Sequence, residues 1–257
     1  MTRPRIYLPC DLEPGNRYNL TEGDRRYLQS VLRLETGDAI LVFNGKGREG
    51  EGIVDSVGDK NLCVAVQDVW SASPEDLSII LAQALPKSGK MDVIIQKATE
   101  LGVSRIIPFI SHRCVPRLDE QKSWARQERW QKIAMEAARQ CRRAHIPDIT
   151  PILPFADMLI QSPTDSFKMI LWEEEMTAGI RSLLTCAYSV LGRECVIAVG
   201  PEGGFTSDEI DQAKGERFLT ASLGRHVLRT ETASLAAIAI IQYEIGRFFD
   251  LTGGKDP

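Results

Sequence analysis

The stretch Cys195-Val196-Ile197-Ala198-Val199-Gly200-Pro201-Glu202-Gly203-Gly204-Phe205-Thr206 decides the fold. Its first five residues are an apolar, β-branched run of strand length that stops at a Gly-Pro step. Thr206 with Glu209 three residues later has capping-box spacing, and Ile210 and Ala213 continue one face, so a helix starts there. A glycine-rich loop between the carboxyl end of a strand and the amino end of a helix is where open α/β sheets hold nucleotide-like ligands, because bare backbone lets a ligand approach closely.

What the loop lacks narrows the ligand. It has no Gly-Lys-Ser/Thr and no Gly-x-Gly-x-x-Gly, and Glu202 would repel a triphosphate or pyrophosphate. A cofactor that is uncharged or cationic at its reactive end fits better, and S-adenosylmethionine is such a cofactor. A second stretch, Leu223-Gly224-Arg225-His226-Val227-Leu228-Arg229-Thr230-Glu231-Thr232, also follows an apolar strand-like run.

On either side, strands and helices alternate from Leu77 onward: strand to Leu85, helix Lys90 to Leu101, strand Arg105 to Ile110, helix Ser123 to Ala144. Then come Phe167 to Trp172, Ala178 to Tyr188, Cys195 to Val199, Thr206 to Lys214, Arg217 to Leu223 and Glu231 to Phe249, an α/β pattern with a mostly parallel sheet. Before this, Asp38 to Asn44, Gly50 to Val57 and Leu62 to Trp70 read as strands of a small β-rich unit, with a short helix over about Thr21 to Leu34. Ser71 to Asp76 has linker composition, which divides the chain into residues 1–72 and 73–257. The last helix carries Leu235-Ala236-Ala237-Ile238-Ala239-Ile240-Ile241 with almost no polar face, so burial nearly all round is expected, within one subunit or in a dimer interface.

Gly-Pro-Glu-Gly-Gly at 200–204 and Leu-Gly-x-x-Val-Leu-Arg-Thr-Glu-Thr-Ala from 223 resemble the RsmE family of SPOUT methyltransferases, which methylate N3 of a uridine in small-subunit ribosomal RNA. Met91-Asp92-Val93-Ile94-Ile95-Gln96-Lys97-Ala98-Thr99-Glu100-Leu101-Gly102-Val103, Ser111-His112-Arg113-Cys114, Arg129 to Ala134, Val31-Leu32-Arg33 and Leu41 to Gly45 fall in the family's order. His112, Tyr27 and His226 depart from it, standing where Glu, His and Arg are usual. The resemblance implies a PUA-like RNA-binding β-barrel over 1–72 and, over 73–257, a SPOUT methyltransferase domain with a deep trefoil knot. It also implies a homodimer acting on 16S ribosomal RNA or the 30S subunit.

On that resemblance S-adenosylmethionine is expected on three loops: Leu171, Trp172 and Glu173; Gly200, Pro201, Glu202, Gly203 and Gly204; and Leu223, Gly224, Val227, Leu228 and Thr230. Gly200 and Gly203 are the expected backbone-approach positions, and Leu171, Leu223 and Leu228 the apolar adenosine wall. Ordinary core packing explains each leucine as well. Arg229 and Glu231 are the expected catalytic pair, since a fixed guanidinium would stabilise charge on the uracil carbonyls as the imide proton leaves. Thr230 as helix cap and Glu231 as first-turn acid would serve structure equally.

Hydrophobic residues at 43% and charged residues at 26% are ordinary for a globular protein, and the absence of a long apolar run or apolar leader makes the cytoplasm the expected address. The net charge of −4 argues against binding nucleic acid by bulk charge, yet residues 86–147 hold 13 Lys and Arg against 6 Asp and Glu. Within that basic middle Arg113, Arg139, Arg142 and Arg143 are expected to contact RNA phosphates, extended by Arg3, Arg5, Arg25, Arg26 and Arg33. Favourable placement at a helix carboxyl terminus explains Arg139, Arg142 and Arg143 structurally. The six cysteines form no framework. Cys141 and His145 lie one helical turn apart, but no common zinc spacing joins them to His112 and Cys114, and no metal is expected. Two other classes stay open: a nicotinamide-dependent oxidoreductase, which here lacks its glycine fingerprint, and a non-catalytic RNA-binding module, which leaves both glycine loops unexplained.

Overall fold

The computed structural model describes residues 3–20, 28, 34–57, 62–73, 77–87, 89–115, 120–187 and 194–244. The chain divides into two compact units, residues 1–75 with 135–146, and residues 76–134 with 147–257.

In the first unit β1 (Arg5–Tyr7), β2 (Arg17–Asn19), β3 (Ala39–Phe43), β4 (Arg48–Val57) and β5 (Leu62–Ser71) form one sheet in the order β1-β3-β4-β5-β2. β1 is parallel to β3 and the other pairs are antiparallel. Alternation along β5 turns Leu62, Val64 and Val66 into a core shared with Ile40, Val42 and Val54. Gly50 and Gly52 let β4 and β5 close up, since a Cβ would stand 2.4 Å from the Asp68 carbonyl oxygen and 2.7 Å from that of Ala65. β1 and β2, three residues each, are too short to carry a readable period. Of the helix expected over 21–34 only residues 28 and 34 are described, and both pack on this core.

Residues 135–146 complete this unit with the end of a long helix and the turn after it. The helix stops at Gln140, four residues before the expected end, because Arg142 takes a left-handed conformation (φ 62°) and the Arg143 N–H donates to the Ala138 carbonyl at 2.9 Å. Arg5, expected on an RNA-contacting arm, is instead a core element. Its guanidinium lies 3.9 Å over the Phe43 ring, donates to the Ala138 and Arg143 carbonyls at 3.0 and 3.1 Å, and pairs with Glu49 at 2.6 Å. Burial lowers its pKa against the opposing pull of Glu49.

In the second unit the order is β6 (Ser78–Ala84), α1 (Lys90–Glu100), β7 (Val103–Ile110), α2 (Glu120–Gln140), β8 (Asp148–Ile149), β9 (Leu153–Pro154) and α3 (Phe155–Gln161). It continues with β10 (Phe167–Leu171), α4 (Ile180–Ala187), β11 (Glu194–Val199), α5 (Ser207–Gly215), β12 (Leu219–Ala221) and α6 (Thr230–Glu244). The strands form one sheet, β12-β10-β11-β6-β7-β8, with β9 also on β7, and every pair is parallel. Near-continuous apolar runs in β6 and β11 reflect burial on both faces. The rings of Phe109, Phe155 and Phe205 pack together on one side, with centroids 5.7 to 6.3 Å apart.

The predicted capping box opens α5: the Glu209 N–H donates to Thr206 Oγ1 at 3.2 Å, and the Thr206 N–H donates to Glu209 Oε2 at 2.9 Å. α6 comes after the edge strand β12 yet packs on the central strands β6 and β11 and on α1 and α4. It is not buried all round within the chain. Thr230, Ser234, Ala237, Ile238, Ile241 and Gln242 are buried, while Leu235, Ala236, Ala239 and Ile240 stay half-buried. No helix among the described residues is long and apolar enough to cross a membrane.

Candidate active site

β10, β11 and β12 are adjacent and parallel, so their carboxyl ends share one edge of the sheet and the loops leaving them converge. Between these loops lies a cavity of about 300 Å³, within the range of small-molecule sites. Leu171, Trp172 and Glu173 line it from the first loop, Gly200, Pro201, Glu202 and Gly204 from the second, and Leu223, Gly224, Val227, Leu228, Arg229 and Thr230 from the third. All were named from the sequence. Val199, Ala221, Ser222, Arg225, His226 and Ala233 complete the wall.

Two expected residues are not in the wall. A Cβ on Gly203 would meet Arg113 Cβ at 3.2 Å, and the Gly203 carbonyl accepts from Arg113 Nη1 at 2.8 Å. The missing side chain at 203 therefore makes room for Arg113, and Arg113, expected on RNA, braces the glycine loop. Glu231 turns to Lys90, whose Nζ stands 3.2 Å from Glu231 Oε2 and 3.0 Å from Glu202 Oε1. Gly204 makes the close approach instead: its φ is +67°, and a Cβ there would lie 1.9 Å from Glu173 Oε1, where the first two loops meet.

Beneath the cavity a buried polar network ties the loops together. Gln83, fully buried in β6, donates from Nε2 to Thr230 Oγ1 and to the Ala84 carbonyl, both at 3.0 Å. Thr230 Oγ1 donates in turn to the Gly200 carbonyl at 2.7 Å, and Ser234 Oγ donates to Gln83 Oε1. Thr230 thereby joins the start of α6 to the glycine loop, and Gln83, a side chain not singled out from the sequence, ties that junction to β6. Gln83 was signalled only as the one polar residue inside an apolar strand.

The carboxylates have fixed partners as well. Burial opposes ionisation of Glu202, but donation from the Lys87 N–H and from Lys90 holds its pKa below the ordinary value. The same contacts, that to Glu202 before that to Glu231, raise the pKa of Lys90. Glu175 accepts from the N–H and hydroxyl of Thr177, from the Thr220 hydroxyl and from the Ala178 N–H, and its pKa falls to about 2. It pins the segment after Trp172 to β12. By contrast Arg225, His226 and Arg229 are exposed on the third loop, with no ion-pair partner among the described residues.

The remaining arginines are scattered. Arg3 pairs with Glu51 at 2.6 Å and Arg139 pairs with Glu136, while Arg142 and the half-buried Arg143 lie just past the helix end in the first unit. Arg25, Arg26 and Arg33, with Tyr27 and Arg117, lie outside the described residues. The His112 N–H donates to Glu209 at 2.7 Å, the Ser111 N–H donates to Cys114 Sγ at 3.3 Å, and Cys141 Sγ faces the Ala138 carbonyl. Among the described residues no three His, Cys, Asp or Glu side chains group as metal ligands.

The cavity wall suits an adenosine-bearing cation. Leu171, Val199, Ala221, Leu223, Leu228 and Ala233 offer an apolar slot, glycine backbone offers hydrogen-bonding groups, and the Glu173 carboxylate offers negative charge at one side of the wall, across from Arg225 and Arg229 on the third loop. Residues 73–242 match the family described as RNA methyltransferase domain, and residues 20–67 that described as RNA methyltransferase PUA domain. The chain is 34% identical to Ribosomal RNA small subunit methyltransferase E of Bacillus subtilis over 91% of its length and 92% of the relative's. It superposes on Ribosomal RNA small subunit methyltransferase E of Neisseria gonorrhoeae, solved bound to S-adenosyl methionine, with TM-score 0.85, 33% identity and coverage of 95% and 98%. A further relative, 30% identical over 86% of this chain and 85% of its own length, is Ribosomal RNA small subunit methyltransferase E of Mycobacterium tuberculosis.

Proposed function

The chain belongs to the RsmE family of ribosomal RNA small-subunit methyltransferases, and from that premise we propose that it methylates N3 of a uridine in 16S ribosomal RNA, using S-adenosylmethionine, as a cytoplasmic homodimer. The observation that carries this reading is the convergence of three strand-end loops on one cavity whose wall is apolar and glycine-rich. A nicotinamide enzyme would need a pyrophosphate cradle, which the carboxylate of Glu202 disfavours. A binding module without catalysis would need no such cavity.

When bound, S-adenosylmethionine supplies an electrophilic methyl group on a cationic sulfonium. The backbone of Gly200 and Gly204 and the apolar residues of the wall would hold its adenosine, and the carboxylate of Glu173 would favour its positive charge, Glu202 being paired with Lys90. Lys90, bridging Glu202 and Glu231, fixes the second loop against the start of α6. Arg229, on the wall with its guanidinium uncommitted, stabilises negative charge on the uracil carbonyl oxygens as the N3 proton departs.

The half-buried apolar face of α6, with Leu235, Ala236, Ala239, Ile240 and the exposed Tyr243, supports dimerisation through this helix. The path from edge strand β12 to central packing of α6 supports a knotted carboxyl-terminal segment. Deleting the gene and mass-mapping 16S RNA tests the assignment. One N3-methyluridine should vanish and return on complementation; an unchanged map would sink the reading.

A further inference from the structure

Two segments far apart in sequence meet in the first unit. The tip of the β3–β4 hairpin, residues 44–48, lies alongside residues 144–146: Lys46 bridges His145, the Gly47 N–H donates to the Ala144 carbonyl at 3.2 Å, and the Ile146 N–H donates to the Gly45 carbonyl at 3.0 Å. The tip is held rigidly. The buried Asn44 side chain accepts from the Lys46 and Arg48 N–H groups at 2.8 and 3.0 Å, and Gly45 and Gly47 take positive φ. The His145 ring rests on Gly47, where a Cβ would stand 2.5 Å from Nε2.

This junction gathers cations from both segments. Lys46, Arg48 and Arg142 are exposed and His145 half-buried, and none has an ion-pair partner among the described residues. The acids nearest in sequence are taken: Glu49 pairs with the buried Arg5, Glu136 with Arg139, and Asp148 with Arg105. Arg142 adds an independent sign. It occupies a left-handed conformation, φ 62°, that glycine adopts at less cost, so its side chain is kept at an exposed turn despite the backbone.

We infer that Lys46, Arg48, Arg142 and His145 form a composite phosphate-binding surface on the first unit that engages the backbone of the RNA substrate, an inference that rests on the RNA-modifying role proposed above. In a chain of net charge −4, a preorganised cationic patch attracts a polyanion locally. RNA is the polyanion the second unit would modify. The surface reads no sequence; it holds and orients the strand.

Arg142→Gly is the informative variant, since it removes the charge while easing the turn. Its thermal midpoint should equal or exceed that of the unmodified protein. In filter binding to a 16S RNA fragment over a salt series, it and the double variant Lys46→Gln/Arg48→Gln should each weaken binding several-fold at about 0.1 M salt. The slope of log affinity against log salt should fall by about 0.7–0.9 for each charge removed. Calorimetric affinity for S-adenosylmethionine should not move. Binding and slope identical to the parent in both variants would overturn the surface, as would loss of heparin binding with RNA binding intact. A parent that methylates RNA while the variants bind normally refutes this surface alone; a parent that neither methylates nor binds RNA refutes it together with the proposed function.

Discussion

Replacing Thr230 by valine keeps volume and shape but deletes one buried hydroxyl that is bonded on two sides. Oγ1 donates to the Gly200 carbonyl at 2.7 Å and accepts from Gln83 Nε2 at 3.0 Å. Without it the Gly200 carbonyl is left buried and unpaired, while Gln83 keeps its Nε2 contact to Ala84 and the donation it receives from Ser234. An unsatisfied buried polar group costs roughly 1–3 kcal/mol, so the substitution should destabilise the fold by about that much. Because the freed carbonyl belongs to the glycine loop, part of the loss must appear as poorer preorganisation of the cavity. About 1.4 kcal/mol of it corresponds to tenfold weaker cofactor binding. Urea unfolding and titration calorimetry with S-adenosylmethionine measure the two parts, and Thr230→Ser, which retains the hydroxyl, should recover most of both. A valine variant with unchanged stability and unchanged affinity would refute the argument that this network positions the loop.

Arg229→Ala should lower single-turnover methylation about a hundredfold while leaving RNA affinity nearly intact, as loss of a charge-stabilising donor does; a loss confined to affinity would contradict the role assigned to it. Gly204→Ala should weaken cofactor binding, because alanine is strained at φ +67° and its Cβ would displace the exposed Glu173 carboxylate from the cavity wall, whereas Gly203→Ala, whose Cβ would meet Arg113 Cβ at 3.2 Å away from the wall, should weaken it less. Equal effects in calorimetry would remove the distinction between the two glycines. The pKa of Glu175 is depressed to about 2, so its contribution to stability is complete above the ordinary value of 4.5 and is lost as pH falls toward 2. Glu175→Gln should therefore lower the thermal midpoint near neutrality and converge on the parent in acid; a constant difference across that window would exclude the ionised clamp.

Much of this was legible in the sequence because it lies in local chemistry. β11, the capping box of α5 and the three strand-end loops are each written in a few consecutive residues, and parallel pairing brings the loops together once the strands are recognised. What could not be read depends on long-range partners. Arg5 looked like part of an exposed arm because its acceptors, the carbonyls of Ala138 and Arg143, lie more than 130 residues away. Gln83 and Thr230 are 147 residues apart, and no periodicity reports such a pair. Gly203 and Gly204 are indistinguishable as letters; backbone dihedral and the position of Glu173 separate their roles. The end of α2 was misplaced because Arg142, which is not glycine, makes the left-handed turn.

The most direct test of the central claim is reconstitution. Purified protein is incubated with S-adenosylmethionine carrying an isotopically labelled methyl group and with 16S RNA or small subunits from a strain lacking the gene, and the nucleosides are resolved by mass spectrometry. The account predicts label in N3-methyluridine at a single site, with signal reduced about a hundredfold by Arg229→Ala. No label in either substrate, or label on a different base or on ribose, would contradict it.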